Sequence, residues 1–115
     1  MRVIIYGRVN RLKLSADSQI EKLRSFCCDR AYEVVGEIQD CCSGSVVGDN
    51  LRNLLNEPRQ NYDALVILDP SRISRNLVKM LEIAEKMRSK RIELICAETP
   101  EKDLHGKRES ILNIS

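Results

Sequence analysis

The chain has 115 residues, enough for one domain around a single sizeable core. With 43% hydrophobic and 31% charged residues it has an ordinary globular balance. No apolar run has the length of a membrane span or a secretory leader, so the expected place is the cytoplasm, with no membrane partner. The formal charge of +2 is too small to argue for nucleic acid by itself, and the placement of charge along the chain has to decide.

Val3-Ile4-Ile5-Tyr6 predicts a short strand stopped at Gly7. From Asp17 to about Arg30, Ile20, Leu23 and Cys27 recur at helical spacing with Phe26 alongside, and Ser15 or Asp17 can cap the start. A second strand is predicted over Glu33–Ile38, ending in a turn-forming loop from Asp40 to Ser45. Leu51, Leu54 and Leu55 mark a short helix that Pro58 limits.

Ala64–Leu68 is apolar at every position, which predicts a central strand covered on both faces. Leu77, Met80, Leu81, Ala84 and Met87 form one stripe of a helix over about Asn76 to Ser89, with the methionines read as core. Ile92–Cys96 is the last clear strand. A polar stretch from Glu98 to Lys107 then leads to a new helix or strand at Ser110–Ile114. Strand–helix alternation with short joins predicts an α/β fold in three layers, a mainly parallel sheet with helices on both faces.

The five cysteines fall as Cys27-Cys28, Cys41-Cys42 and Cys96. Adjacent pairs lack the turn that tetrahedral zinc needs between ligands, and an odd total without C-x-x-C argues against a disulfide framework. Reduced, mostly buried thiols are the expectation, with no metal. His105, the lone histidine, lies in the polar stretch and is expected at the surface.

Ligands of open parallel sheets collect outside the carboxyl ends of the strands. This sequence places Arg8, Asn10, Arg11 and Lys13 there after the first strand, Asp40, Ser43 and Gly44 after the second, and Asp69–Asn76 after the third. Arg72 and Arg75 are three apart and share one face of a first turn if a helix begins near Ser71. Cations are disfavoured at a helix N-terminus unless an anion lies between them, and Arg grips phosphate with a bidentate fork. With Arg8, three guanidinium groups are expected to converge on one phosphate. Neither G-x-G-x-x-G nor a P-loop is present. A phosphate-accepting signalling domain could use Asp69, but it would need an acidic pair where this chain has Arg8 and Arg11.

These residues match a known pattern. Val3-Ile4-Ile5-Tyr6-Gly7-Arg8-Val9 with Asp17-Ser18-Gln19-Ile20 resembles the opening of resolvase/invertase-type serine recombinases. So do Asp40-x-x-Ser43-Gly44 and Ser71-Arg72-Ile73-Ser74-Arg75, and Leu94–Pro100 followed by Gly106-Lys107 resembles the end of that catalytic domain. The resemblance covers nearly the whole chain, in order. It implies phosphoryl transfer on DNA without metal, nucleotide or other cofactor. In that chemistry a serine attacks a backbone phosphate to give a phosphoserine link and a free 3′-hydroxyl, and paired subunits exchange strands and reseal. By position, Arg8, Arg72 and Arg75 correspond to the family's phosphate-binding arginines, and Tyr6, Gln19, Asp40 and Ser43 to supporting positions.

Three departures bear on activity. Asn10 stands at the nucleophile position, and an amide cannot form the covalent phosphate link. Ser71 stands where the family usually has an acid, and a further family arginine falls at Gly48. The resemblance implies that residues 1–115 form the catalytic domain, ending before a long dimerisation helix and a DNA-binding domain. DNA is the expected partner. The full-length family forms homodimers or tetramers, whereas this shorter chain is expected to be weakly associated or monomeric. Its expected role is site-specific DNA recombination with this copy impaired or inactive. The alternative is a non-catalytic regulatory or interaction module that associates with active recombinase subunits.

Overall fold

The computed structural model describes residues 1–9, 17–58 and 61–98. In chain order the elements are β1 (Arg2–Val9), α1 (Asp17–Asp29), β2 (Glu33–Cys41), α2 (Asp49–Asn56) and β3 (Ala64–Ile67). A 3-10 turn over Pro70–Arg72 precedes α3 (Leu77–Ser89) and β4 (Glu93–Cys96). The four strands form one sheet in the order β2-β1-β3-β4, and every pairing is parallel. The strand order reverses between β1 and β3, and the carboxyl ends of strands at such a reversal are where open parallel sheets bind ligands.

The apolar strands explain the layers. Val3 and Ile5 of β1, with Ala64 and Val66 of β3, pack under Ile20, Leu23 and Cys27 of α1. On the other face, Ile4, Tyr6, Leu65 and Ile67 pack with Leu51 and Leu55 of α2 and with Met80 and Met87 of α3. The expected α/β architecture, with helices on both faces of a parallel sheet, is the observed one.

One irregularity positions the site. The β1–β2 register steps between Val3↔Val34 and Ile4↔Gly36, so Val35 is an extra residue in β2. Because strand side chains alternate faces, the step moves everything after it to the opposite side. Val34 packs against the α1 side, while Ile38 packs against the α2–α3 side. Asp40, two residues on and paired with Arg8, therefore lies beneath α2.

Three expectations about the elements need correction. Gly7 does not end β1, and β2 does not end at Ile38, because pairing continues to Val9↔Cys41 and draws Asp40 into the sheet. Leu77 was expected on the buried stripe of α3, yet it is 65% exposed, as is its neighbour Val78 at 64%. Helical side chains lean toward the N-terminus, so a first-turn residue projects past the sheet, while Met80, Ala84 and Met87 are buried. Of the cysteines only Cys27 is buried; Cys28 and Cys41 are exposed, and Cys42 and Cys96 are half-buried. Adjacent residues on a helix or an edge strand cannot both face the core. The expected element at Ser110–Ile114 and the surface role of His105 lie outside the described residues. No helix among those described is long and apolar enough to cross a membrane.

Candidate functional site

β3 pairs with β1 only over Val3–Ile5, so the amide groups of Arg8 on that side have no strand partner. Gln19, in the first turn of α1, supplies one. Its Oε1 accepts from the Arg8 N–H at 3.0 Å and its Nε2 donates to the Arg8 carbonyl at 2.7 Å. The side-chain amide extends the ladder in the manner of a peptide and ties the start of α1 to the end of β1. A nearly buried amide with both groups paired satisfies the requirement on buried polar atoms.

The Arg8 side chain is only 3% exposed. Its Nη1 donates to the Ile73 carbonyl at 2.7 Å and to the Arg72 carbonyl at 3.3 Å, and its Nη2 donates to the Ser43 carbonyl. One guanidinium thus joins the end of β1 to the loop after β2 and to the turn after β3.

Beside it, the buried Asp40 carboxylate has partners at both oxygens. Oδ1 accepts from the Asn50 N–H at 3.0 Å; Oδ2 accepts from the Leu51 N–H at 3.1 Å and from the Tyr6 hydroxyl at 2.7 Å. These amides open α2, whose N-cap residue Gly48 has no side chain to offer them. Asp40 therefore caps α2 from the neighbouring strand, and a carboxylate there also suits the helix dipole. The glycine is required by this arrangement: a Cβ at position 48 would stand 2.1 Å from Asp40 Oδ2. Burial, reinforced by the hydrogen bond to Asp40 and its charge, pushes the Tyr6 phenol well above the ordinary tyrosine range.

After β3, Asp69 caps the 3-10 turn by accepting from the Ser71 N–H at 2.9 Å and from the Ser71 hydroxyl. The other Asp69 oxygen faces Arg72 Nε at 3.6 Å, so a carboxylate does stand beside Arg72 although Ser71 is not an acid. Arg72 Nη1 returns to the Arg8 carbonyl at 3.4 Å, while Arg72 Nε is shielded from solvent with no hydrogen-bond partner among the described residues.

Ser74 Oγ accepts from the Asn76 N–H at 3.0 Å, and the Asn76 side chain caps α3 by accepting from Lys79 N–H at 3.1 Å. These local caps correct the idea of a helix beginning near Ser71, since Arg72 lies in the 3-10 turn and Arg75 just before α3. Arg75 is exposed, and its N–H donates to the Gly44 carbonyl at 2.7 Å. Its stem lies against Gly44, where a Cβ would come within 2.9 Å of Arg75 Cδ.

Arg8, Gln19, Ser43, Arg72 and, through Asp69, Ser71 are thus joined through one set of contacts, with Arg75 attached through Gly44, whereas Tyr6 and Asp40 form their own pair, next to Arg8 through strand pairing. Asn10, Arg11, Lys13 and Ser15 lie outside the described residues. Sequence reasoning missed the Ile73 carbonyl as a ligand of Arg8 and the steric need for glycine at position 48. It could have found the short turn from Asp69-Pro70, a cap residue followed by a proline at the first helical position.

The architecture is shared with solved recombinase structures. The N-terminal catalytic domain of TP901-1 integrase superposes with a TM-score of 0.78 at 21% identity, covering 99% of this chain and 95% of that one. The C-terminal catalytic domain of ISC1926 TnpA, an IS607-like serine recombinase, gives 0.75 at 24% identity over 96% of this chain and 80% of that one. A resolvase family site-specific recombinase from Streptococcus pneumoniae gives 0.72 at 23% identity, with 99% and 84% covered. At these identities the likeness is one of fold. No curated protein matches the sequence. The family described as "Resolvase, N terminal domain" matches residues 3–114, nearly the whole chain, and the chain belongs to that family.

Proposed function

We propose that this domain engages DNA backbone phosphate at the carboxyl end of its sheet, in the setting of serine-recombinase site-specific recombination, without completing strand cleavage. What supports binding is the strand-order reversal between β1 and β3, with Arg72 in the turn after β3 and the exposed Arg75 just beyond it, guanidinium groups suited to phosphate. What supports the loss of turnover is Asn10, two residues past Arg8, where the family chemistry needs a hydroxyl. An amide offers no oxygen that can carry the phosphate link, whereas the binding groups remain.

A suicide duplex that traps covalent intermediates tests the reading. The native chain should bind it in a salt-dependent way and form no protein–DNA adduct, and Asn10→Ser should regain a detectable adduct. An adduct of the native chain through Asn10 or Ser15 would sink it. The same missing hydroxyl favours a second reading, a regulatory subunit that associates with active recombinase. Co-purification with a full-length recombinase, under salt that abolishes DNA binding, would select it.

A further inference from the structure

We propose that the groove between α2 and α3 is a second surface for duplex backbone phosphate, carried by Lys79, Lys86 and Lys90 with Arg52 across from them. It runs away from Arg72 and Arg75, and shares with the reading above only the chemistry of the ligand.

The three lysines form one flank of α3. At 3.6 residues per turn, positions 79, 86 and 90 fall within about 40° of one another around the helix axis. That flank meets α2 and the loop before it. Lys79 Nζ donates to the Ser45 carbonyl at 3.2 Å, Lys86 Nζ to Asn56 Oδ1, and Lys90 Nζ to the Glu57 carbonyl at 3.4 Å. Arg52 lies one turn before Asn56 on the same side of α2. It is exposed, and its guanidinium makes no hydrogen bond or ion pair among the described residues.

Each of these ammonium groups is thus aimed at a neutral oxygen, which orients a cation without cancelling its charge. Glu57 meets Lys90 through its carbonyl. Glu82, one turn from both Lys79 and Lys86, forms an ion pair with neither. Cations on other faces are answered differently: Lys22, Arg24 and Arg88 each face a carboxylate, from Glu98, Glu37 and Glu85. Helix stability does not account for the stripe either. Lys86 suits the C-terminal end of the α3 dipole, but Lys79 stands in the first turn, where a cation is disfavoured and no acid is present. Lys86 and Lys90 are four apart, a spacing at which like charges weaken a helix.

The flank also indicates the ligand. From Lys79 to Lys90 it is about 16 Å long at 1.5 Å per residue, on the order of five base pairs of duplex. It carries no aromatic side chain on which a base could stack. Lysine is a point charge on a flexible stem, without the fork that fixes one phosphate in one geometry. Such a stripe follows a backbone and reads no sequence.

The test is binding of a short random duplex to the full chain, measured against salt by fluorescence anisotropy. Lys79→Gln, Lys86→Gln and Lys90→Gln together should lower the salt slope by about three. Lys79→Arg, Lys86→Arg and Lys90→Arg together should keep it. So should Lys22→Gln with Arg24→Gln and Arg88→Gln, which removes as much charge from cations already paired. In the native chain, the amide resonances of Arg52, Lys79, Lys86 and Lys90 should shift as duplex is added, while those of α1 hold still.

An unchanged slope in the lysine-to-glutamine variant, an equal loss in the paired-cation control, or unmoved α3 amides would overturn the proposal. So would poly-glutamate binding that needs the lysines beside duplex binding that does not, which would give the groove to an acidic protein. The loss from the glutamines should be the same once Arg72 and Arg75 are both alanine, and its disappearance there would deny a second surface. Arg72→Ala and Arg75→Ala in the native background report on the carboxyl end alone, so either surface can fail while the other stands.

Discussion

At the corner where β2 meets α2, Asp40 has a partner at each oxygen, its carboxylate holding two amides of α2 and the Tyr6 hydroxyl. At the corner where β3 turns into α3, Arg72 makes only long contacts, and the Arg75 guanidinium makes no hydrogen bond or ion pair among the described residues. Both corners lie at the carboxyl end of the same sheet, and both carry charge. The first has its charge answered within the protein and belongs to the stability of the fold. The second leaves the exposed Arg75 guanidinium without a partner among the described residues. Arg8 stands between the two, a charged group spent on holding backbone.

The comparison breaks first at Asp40. Asp40→Ala removes the cap of α2 and strands a buried phenol, a combined loss of about 3 kcal/mol. Urea denaturation should show it, and a loss near zero would mean that water replaces the carboxylate at no penalty.

Gly48→Ala is the next largest. The added methyl meets Asp40 Oδ2 and must expel it, which should cost about 2 kcal/mol. With Asp40 already alanine the obstacle is gone, and Gly48→Ala should then be close to neutral. Additive losses in the double variant would refute the steric account.

This corner also marks where the sequence stopped being legible. Strand–helix alternation was enough for the sheet, its parallel sense and the two helical layers, because apolar periodicity reports burial directly. The arginines and the Asp40-x-x-Ser43-Gly44 pattern were visible as residue types. A cap supplied to α2 from a neighbouring strand, by a residue ten positions before the amide it binds, has no local signature. Position 48 read as a lost arginine, when the structure shows a place where no side chain fits beside Asp40. The extra residue at Val35, which turns Asp40 toward α2, is equally silent, since the run around it reads as an unbroken strand. Leu77 and the cysteine doublets were misjudged for a related reason: composition reports what a residue prefers, whereas its direction is set by the element carrying it.

Two buried phenols sharpen the contrast at smaller scale. Tyr6 donates to Asp40, whereas the Tyr62 hydroxyl is buried with no partner among the described residues. Tyr6→Phe should therefore lose about 1 kcal/mol, and Tyr62→Phe should be neutral or gain up to about 1 kcal/mol. Both phenols have raised pKa values; burial, then the charge of Glu57, pushes Tyr62 up to about 12. A raised folded value means that the folded state holds the proton more tightly. Its stabilisation is complete below the unfolded value near 10 and is lost as pH rises through the folded one. Melting temperatures between pH 9 and 11 should fall less steeply in Tyr62→Phe than in the native chain. Equal slopes would show that Tyr62 titrates alike in both states.

The smallest effect on stability is expected at the open corner. Arg75→Ala removes an exposed side chain whose guanidinium holds nothing together among the described residues, so unfolding free energy should stay within about 0.5 kcal/mol of native. The same variant should lower the salt slope of duplex binding by about one, because a cation that is free in the fold is free to meet phosphate. Asp40→Ala, measured where it is still folded, should leave that slope alone. If Arg75→Ala instead destabilised the fold as strongly as Gly48→Ala, Arg75 would belong with the closed corner. The division between charges answered inside the protein and charges kept for a ligand would then fail at the residue where it is most exposed to test.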